Sequence, residues 1–560
     1  MCSPICGVRR RPAAFAAPLL KPGQGPRHDE GTGRQTLRSL QPICRGGAAS
    51  RRGCHSSRCA GHRMSASFLH GLPARGEPVR GSGIQIFAPA GHANVDFSPL
   101  RNHPRDVAVL DPVSMADLLR NAFVYPPHSI YRDVKFAISG FDGEQDLHGD
   151  PHFHFRYQSS RGLRPRLDTV DGGLLLKTYH DLLVDAVSRS TAQMRSPWLM
   201  QSGGKDSTSM AIAVAEARPD TVCITYLGGR EENEIDSARF VAHQLGLRHE
   251  ALVCDPRRAY ERYLTLVPRM PLLTADFALL SYVDLATEIG ASGGDGVLDA
   301  LGSDNYFGMP ISWRQRLKAL LALRIRLPRG IVESYLVSHN FRLSYALGTL
   351  QMDAFERCFP GSRFSDAEVD TLLGYPIAES SRKRLLLFRD DIAAASSMEA
   401  QRRVAATIVE AATFGKGMFT ASALSLLLAY PYRDERLCEW TFREVPDALL
   451  IGRGGVNKVL VRRHIAQHFQ QLPYVRNKGS FRFDLCGLAR QCFDQVHEMA
   501  IQAQPLLPGA AFWLESHRSR LGNKYYASKF YILAIMLPWL LSRLDKPASQ
   551  WTPRDRDDVP

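Results

Sequence analysis

From residue 172 onward the apolar side chains alternate between helical spacing and short unbroken runs. GGLLLKTYHDLLVDAVSRSTAQM, TSMAIAVAEA and EIDSARFVAHQLG place apolar residues every three or four positions, while PWLMQ, TVCITYL and EALVC are brief and mostly apolar. Helices alternating with buried strands predict an α/β fold, a parallel sheet with crossover helices. Such sheets bind ligands at the carboxyl ends of their strands, where the strand order reverses. From about Trp313 to Leu544 the pattern is mostly helical and shows no internal repeat, which predicts a helical half packed beside the sheet. Upstream, IQIFA at 84–88 predicts a strand and PVSMADLLRNAF at 112–123 a helix. HFHFRY at 152–157 alternates, and its two histidines, lacking a carboxylate or third ligand, suit the wet face of a strand better than a metal site. The apolar run Phe530 to Leu541 is interrupted by Pro538 and falls short of the ~20 residues that span a bilayer, so it predicts a buried C-terminal helix and no membrane partner.

Charge changes this picture only at the beginning of the chain. The 560 residues carry a net +14, but residues 1–64 hold eleven Arg and one Lys against Asp29 and Glu30 alone. The body is therefore nearly neutral, and no nucleic-acid partner is expected. The basic segment is rich in Gly, Pro and Ser and is expected to be disordered, either as an Arg-rich transit peptide or as an extension ahead of a start at Met64. The cysteines at 2, 6, 44, 54 and 59 form no CxxC pair and the other six are scattered. That argues against a cysteine zinc site or a disulfide framework and for a reducing, cytoplasmic setting.

The candidate chemistry begins where PWLMQ meets Ser202-Gly203-Gly204-Lys205-Asp206-Ser207 and a helix starts at once. Two glycines let the backbone turn tightly, the helix N-terminus adds partial positive charge, and Ser202, Ser207 and Thr208 offer hydroxyls: a cradle for a polyphosphate. It is not a Walker loop, because Asp206 stands where Ser or Thr must follow the lysine. An acid inside a phosphate site requires a cation between them, which makes Asp206 a candidate Mg²⁺ ligand.

SGGxDS between a strand and a helix resembles the pyrophosphate loop of the ATP pyrophosphatase group. RFVAHQLGLRHEALV at 239–253, GVLDALGSDNYFG at 296–308, and PYRDERLCEWTFREVPDALLIGRGGVNKVLVRRHI followed by LPYVRNKGSF resemble, in order, three further stretches of asparagine synthetases. The resemblance covers about residues 166 to 545, and more faintly 116–141, which looks like the end of that family's glutaminase half. It implies an α/β ATP-pyrophosphatase domain with a helical C-terminal half over 166–545. Ahead of it would come a basic segment at 1–83 and a truncated glutaminase-like remnant at 84–165, with a tail at 546–560. It also implies a reaction in which a carboxylate attacks ATP, giving an acyl-adenylate that ammonia or an amine converts to an amide. Asp206 and Asp304 would hold Mg²⁺, Lys478 would stabilise developing charge and Lys458 would assist. ATP would lie against Ser202, Gly203, Gly204, Asp206 and Ser207, with Met200, Thr225, Asp299 and Ala300 along the adenine and ribose.

The chain departs from the family at Leu301, where asparagine synthetases carry a glutamate and β-lactam synthetases a tyrosine, and at Asn305, which replaces a glutamate. Leucine can neither orient nor deprotonate an amine, so asparagine itself is not implied as product. Cys2 follows Met1 as in glutamine-hydrolysing members, but Ser3 replaces their glycine and the next residues are Arg- and Pro-rich. Internal glutamine hydrolysis is not expected. The acceptor remains a small-molecule or peptide carboxylate and the donor ammonia or an amine. An intramolecular cyclase, a tRNA-modifying enzyme and an inactive nucleotide-binding homologue stay open, and the sequence does not give the oligomeric state.

Overall fold

Five of the strands join in one parallel sheet whose order, β7-β6-β5-β8-β9, reverses between β5 and β8. They are β5 (Pro197–Met200), β6 (Val222–Leu227), β7 (Arg248–Val253), β8 (Gly296–Asp299) and β9 (Leu427–Ala429). In register, Met200 pairs with Ile224 on one side and Asp299 on the other. The carboxyl ends of β5 and β8 therefore lie level, flanking the crevice where the order reverses. This is a computed structural model; it describes residues 84–87, 95–102, 109–137, 141–145, 151–155, 170–228, 234–307, 340–352, 355–359, 364–395, 397–471 and 483–544, with positions 327 and 473. The described residues all fall within one compact unit, Pro78–Pro560. The basic segment 1–83 with Cys2 and Met64, the tail 546–560 and Lys478 lie outside them.

Side-chain alternation explains why the central strands are apolar throughout. Trp198, Met200, Val222, Ile224 and Val297 face one core, while Leu199, Cys223 and Leu298 between them face another. Both faces are covered, so no polar alternation survives in β5, β6 or β8. The edge strand β7 begins Arg248-His249-Glu250 and is largely exposed, which blunts it against pairing with other chains.

The smaller of the two cores lies under the helices Gly172–Ser190, Lys205–Ala217 and Val459–His468 and includes Tyr179, Leu183, Met210, Leu460 and Ile465. Asp171 starts the first of these helices, its carboxylate accepting from the N–H groups of Gly173 and Leu174. The larger core joins the other sheet face to the helical half. It also takes in Phe97, Leu118, Leu119 and Phe136 beside Phe419 and Trp539. The described part of 84–165 thus shares its core with the C-terminal helices. The pairing of β1 (Ile84–Phe87) with β2 (Val134–Ala137) and the hairpin β3 (Phe141–Gln145) with β4 (Pro151–Phe155) add two small sheets.

The apolar run at the C-terminus belongs to a longer element than its composition suggested. The helix Lys524–Leu544 has 21 residues and is, among the described residues, the one helix long and apolar enough to cross a membrane. It is a core helix here, with Tyr525 through Leu540 all buried. Lys529 is accommodated inside because its ammonium lies 2.6 Å from Glu368. A paired lysine and several tyrosines lower the apparent hydropathy of the first turns without exposing them.

Candidate active site

The strand-to-helix turn at 201–205 closes by hydrogen bonds within itself. The Ser207 hydroxyl lies 2.7 Å from the Ser202 carbonyl and 2.9 Å from the Ser202 hydroxyl, and the Gly204 N–H donates to the latter at 3.3 Å. The helix Lys205–Ala217 then begins with Gly204 as its cap residue and no side-chain cap, so the cap position is left to the backbone. Gly203 is closely packed: a Cβ there would meet Cβ and Cγ of Glu234 at 3.0 Å. Its N–H donates to the Glu234 carboxylate at 3.0 Å. This buried acid ties the loop to the start of the helix Glu234–Gln244, and motif reading missed it because its partner is 31 positions away.

Across the crevice, β8 runs into a second turn at Asp299-Ala300-Leu301-Gly302 before the short helix Ser303–Phe307. Asp299 accepts the Leu301 N–H at 3.2 Å. Gly302 has φ of 107°, a conformation that favours glycine, and packs over Arg433. Arg433 itself belongs to the Pro431–Arg433 turn, pairs with buried Glu410 at 3.1 Å and lies over the Phe414 ring. The side chain of Leu301 packs against the larger core.

A third element completes the crevice. Ile451 and Asn457 bridge across the turn Arg453–Gly455, in which Gly454 and Gly455 take positive φ, and Lys458 follows with φ of 57°. Lys458 is the cap residue of the helix Val459–His468, not a residue within it. Its backbone N–H donates to the Leu450 carbonyl at 2.7 Å, and the left-handed conformation of this non-glycine residue stores backbone strain. The ammonium, 1% exposed, lies 2.7 Å from Asp206, 2.6 Å from Asp304 and 2.8 Å from the Ser303 hydroxyl. Burial works against its charge, but the carboxylates of Asp206 and Asp304 outweigh burial and raise its pKa above the ordinary lysine value. Lys205 next to it is shifted down, by burial first and by the charges of Lys458 and Arg462.

Asp206, Asp304 and Lys458, far apart in the chain, thus meet around one ammonium, with Ser202, Gly203, Gly204 and Ser207 alongside. Met200 and Asp299 sit level on adjoining strands and Ala300 follows; Thr225, on β6, has its hydroxyl 2.8 Å from His249 Nε2. The residues present fit Mg²⁺: two carboxylates and the Ser303 hydroxyl converge on a position already held by positive charge, an all-oxygen set of the kind that ion takes. Gln201, between β5 and the loop, is fully buried, and neither end of its amide has a partner among the described residues.

The family model for asparagine synthase matches residues 178–519. The chain belongs to the asparagine synthase family. No curated protein matches it. The matched span contains the loop, Asp304, Lys458 and Lys478, and no residue before 178 falls within it. The family makes the protein one of the ATP-dependent ligases of amidation chemistry, and the crevice between β5 and β8 lies where the strand order reverses, the place at which open parallel sheets bind ligands.

Proposed function

We propose that the protein activates a substrate carboxylate with ATP as an acyl-adenylate and transfers the acyl group to ammonia or an amine, releasing pyrophosphate and AMP. The observation that carries this reading is the convergence of Asp206 and Asp304 on Lys458 at the mouth of the phosphate loop.

In the first step a carboxylate oxygen attacks the α-phosphorus and the bond to the bridging oxygen of pyrophosphate breaks. The N–H groups of Ser202–Gly204 and the hydroxyls of Ser202 and Ser207 are proposed to receive the departing phosphates, exchanging for them the bonds they make to Glu234 and to one another. Mg²⁺ held by Asp206 and Asp304 would supply charge neutralisation on the β and γ oxygens. Lys458, fixed by both acids, keeps its proton and adds positive charge that needs no reorganisation. In the second step the amine nitrogen attacks the acyl carbon and AMP leaves. Lys478 is proposed to support both steps, as its match to the family segment implies. Met200, Thr225, Asp299 and Ala300 are proposed to line the adenine and ribose.

Leu301 supports a donor and acceptor different from those of asparagine formation, because a partly buried apolar side chain packed against the core offers no base to an incoming amine. An amine within the same substrate, giving a cyclic amide, fits this position equally with free ammonia. The scattered free thiols of the described residues support a cytoplasmic setting. The nearly neutral body supports a small-molecule or peptide substrate over a nucleic acid. The test is ATP–pyrophosphate exchange across a panel of carboxylates. Exchange that appears with one substrate and disappears in Asp206→Ala is expected; no exchange with any of them, alongside unimpaired ATP binding in the variant, would sink the reading.

A further inference from the structure

The helix Val459–His468 leads away from Lys458 and carries His464 and His468 one turn apart, so both project from one face. His180, on the helix Gly172–Ser190, meets them. Its Nδ1 lies 3.0 Å from His464 Nε2, and one ring nitrogen from each of the three histidines lies within 4.8 Å of the others. The rings of His180 and His468 are stacked with centroids 5.7 Å apart. His464 is buried, His180 partly so, and His468 exposed, which leaves the cluster open to solvent on one side.

The outward-facing nitrogens are also engaged. His180 Nε2 lies 2.8 Å from a Glu216 carboxylate oxygen and His464 Nδ1 lies 2.9 Å from the Ser209 hydroxyl. Glu216 and Ser209 both belong to the helix Lys205–Ala217. A carboxylate on one imidazole and a hydroxyl on the other fix ring orientation and tautomer, which is how the partners of metal-bound histidines act. We propose that His180, His464 and His468 bind a divalent transition ion of the zinc class, with solvent in the fourth position. An all-imidazole donor set selects zinc, copper or nickel and offers nothing to Mg²⁺.

The site is separate from the phosphate crevice. Five residues, and a helical rise of roughly 9 Å, separate Lys458 from His464. An ion there would fasten the helix that presents Lys458 to the first helix of the sheet domain and, through Ser209 and Glu216, to the helix that follows the phosphate loop. Its role would be to hold those helices in place; it would take no part in the chemistry.

The experiment uses full-length, tag-free protein stripped with a chelator and titrated with zinc against a chromogenic competitor, with the melting temperature followed in parallel. One equivalent of tightly bound zinc and a rise of several degrees in melting temperature are expected, with no comparable rise from magnesium. Cobalt should give the intense visible bands of a four-coordinate site. Because His468 is exposed, His468→Ala is expected to fold normally and to lose at least tenfold in zinc affinity, as should His180→Ala. His243→Ala, at an exposed histidine on another helix, should bind zinc as the parent does. Absence of stoichiometric zinc, or undiminished affinity in His468→Ala, would overturn the proposal, as would equal loss in His243→Ala.

Discussion

The helix that begins at Val459 meets a different kind of polar cluster at each end. At its start the buried ammonium of Lys458 lies between the carboxylates of Asp206 and Asp304, and the charges sustain one another. At its far end three imidazoles converge, and burial, reinforced by the charges of His468 and His180, holds His464 down at about 3, so it is neutral at any ordinary pH. The difference teaches what each end can take. Oxygen donors around a buried ammonium suit an exchangeable hard ion carried in with phosphates, whereas imidazole nitrogen donors on packed helices suit a resident softer ion.

The comparison breaks most sharply at Asp206. Asp206→Ala is expected to lower ATP–pyrophosphate exchange by roughly 10³-fold, since it removes both a proposed ion ligand and the partner of Lys458. Zinc uptake at the other end should be untouched, and loss of both together would show that the variant had simply unfolded. Lys458→Met keeps the volume of the side chain but removes its charge. A fall in kcat of about 10²-fold is expected, with ATP affinity weakened less. A variant as active as the parent would reduce Lys458 to a structural counter-ion.

Gly203→Ala asks whether the loop is tight at its base. Its new Cβ would press on Glu234 at 3.0 Å, so KM for ATP should rise by about tenfold. Glu234→Ala in the same chain should recover part of that loss, a coupling that separates crowding from general damage. The smallest effect concerns pH. Burial holds His249 at about 4 and His128 at about 3, with nearby positive charges adding to it, Arg239 for the first and Arg384 and Lys135 for the second. Both stay neutral in the folded chain while the unfolded chain takes up protons near 6.5. Their contribution is complete above that pH and is lost as pH falls toward the folded values, by up to about 1.4 kcal/mol per pH unit for each histidine. Calorimetric melting of metal-free protein should show the fall below pH 6.5, and His249→Asn should flatten it.

Local chemistry made the turn at 202–207 legible. Strand, paired glycines, an acid and a helix start lie within about ten consecutive residues, so no distant contact is needed to see the turn. The alternating pattern from 172 likewise disclosed a parallel sheet, because burial on both faces forces apolar runs. The place of Lys458 was less legible. The resemblance gave it only an assisting role, but a turn with two glycines sets it at the helix cap and aims it at acids from the first turns of two other helices. Gln201 and Glu234 drew no attention because a buried amide and a buried acid look ordinary until their surroundings are known.

The sequence by itself determined the α/β class, the loop and the family, since each is written in residues that are neighbours or nearly so. Only the tertiary structure decided that two acids share one ammonium and that His180 stands against His464, 284 positions away. The histidines that stood out in the chain, at 152 and 154, lie together on one strand, where adjacency is automatic. Those that gather into a three-nitrogen cluster come from two helices, and only the packing of Tyr179, Leu460 and Ile465 beneath them brings the two faces together.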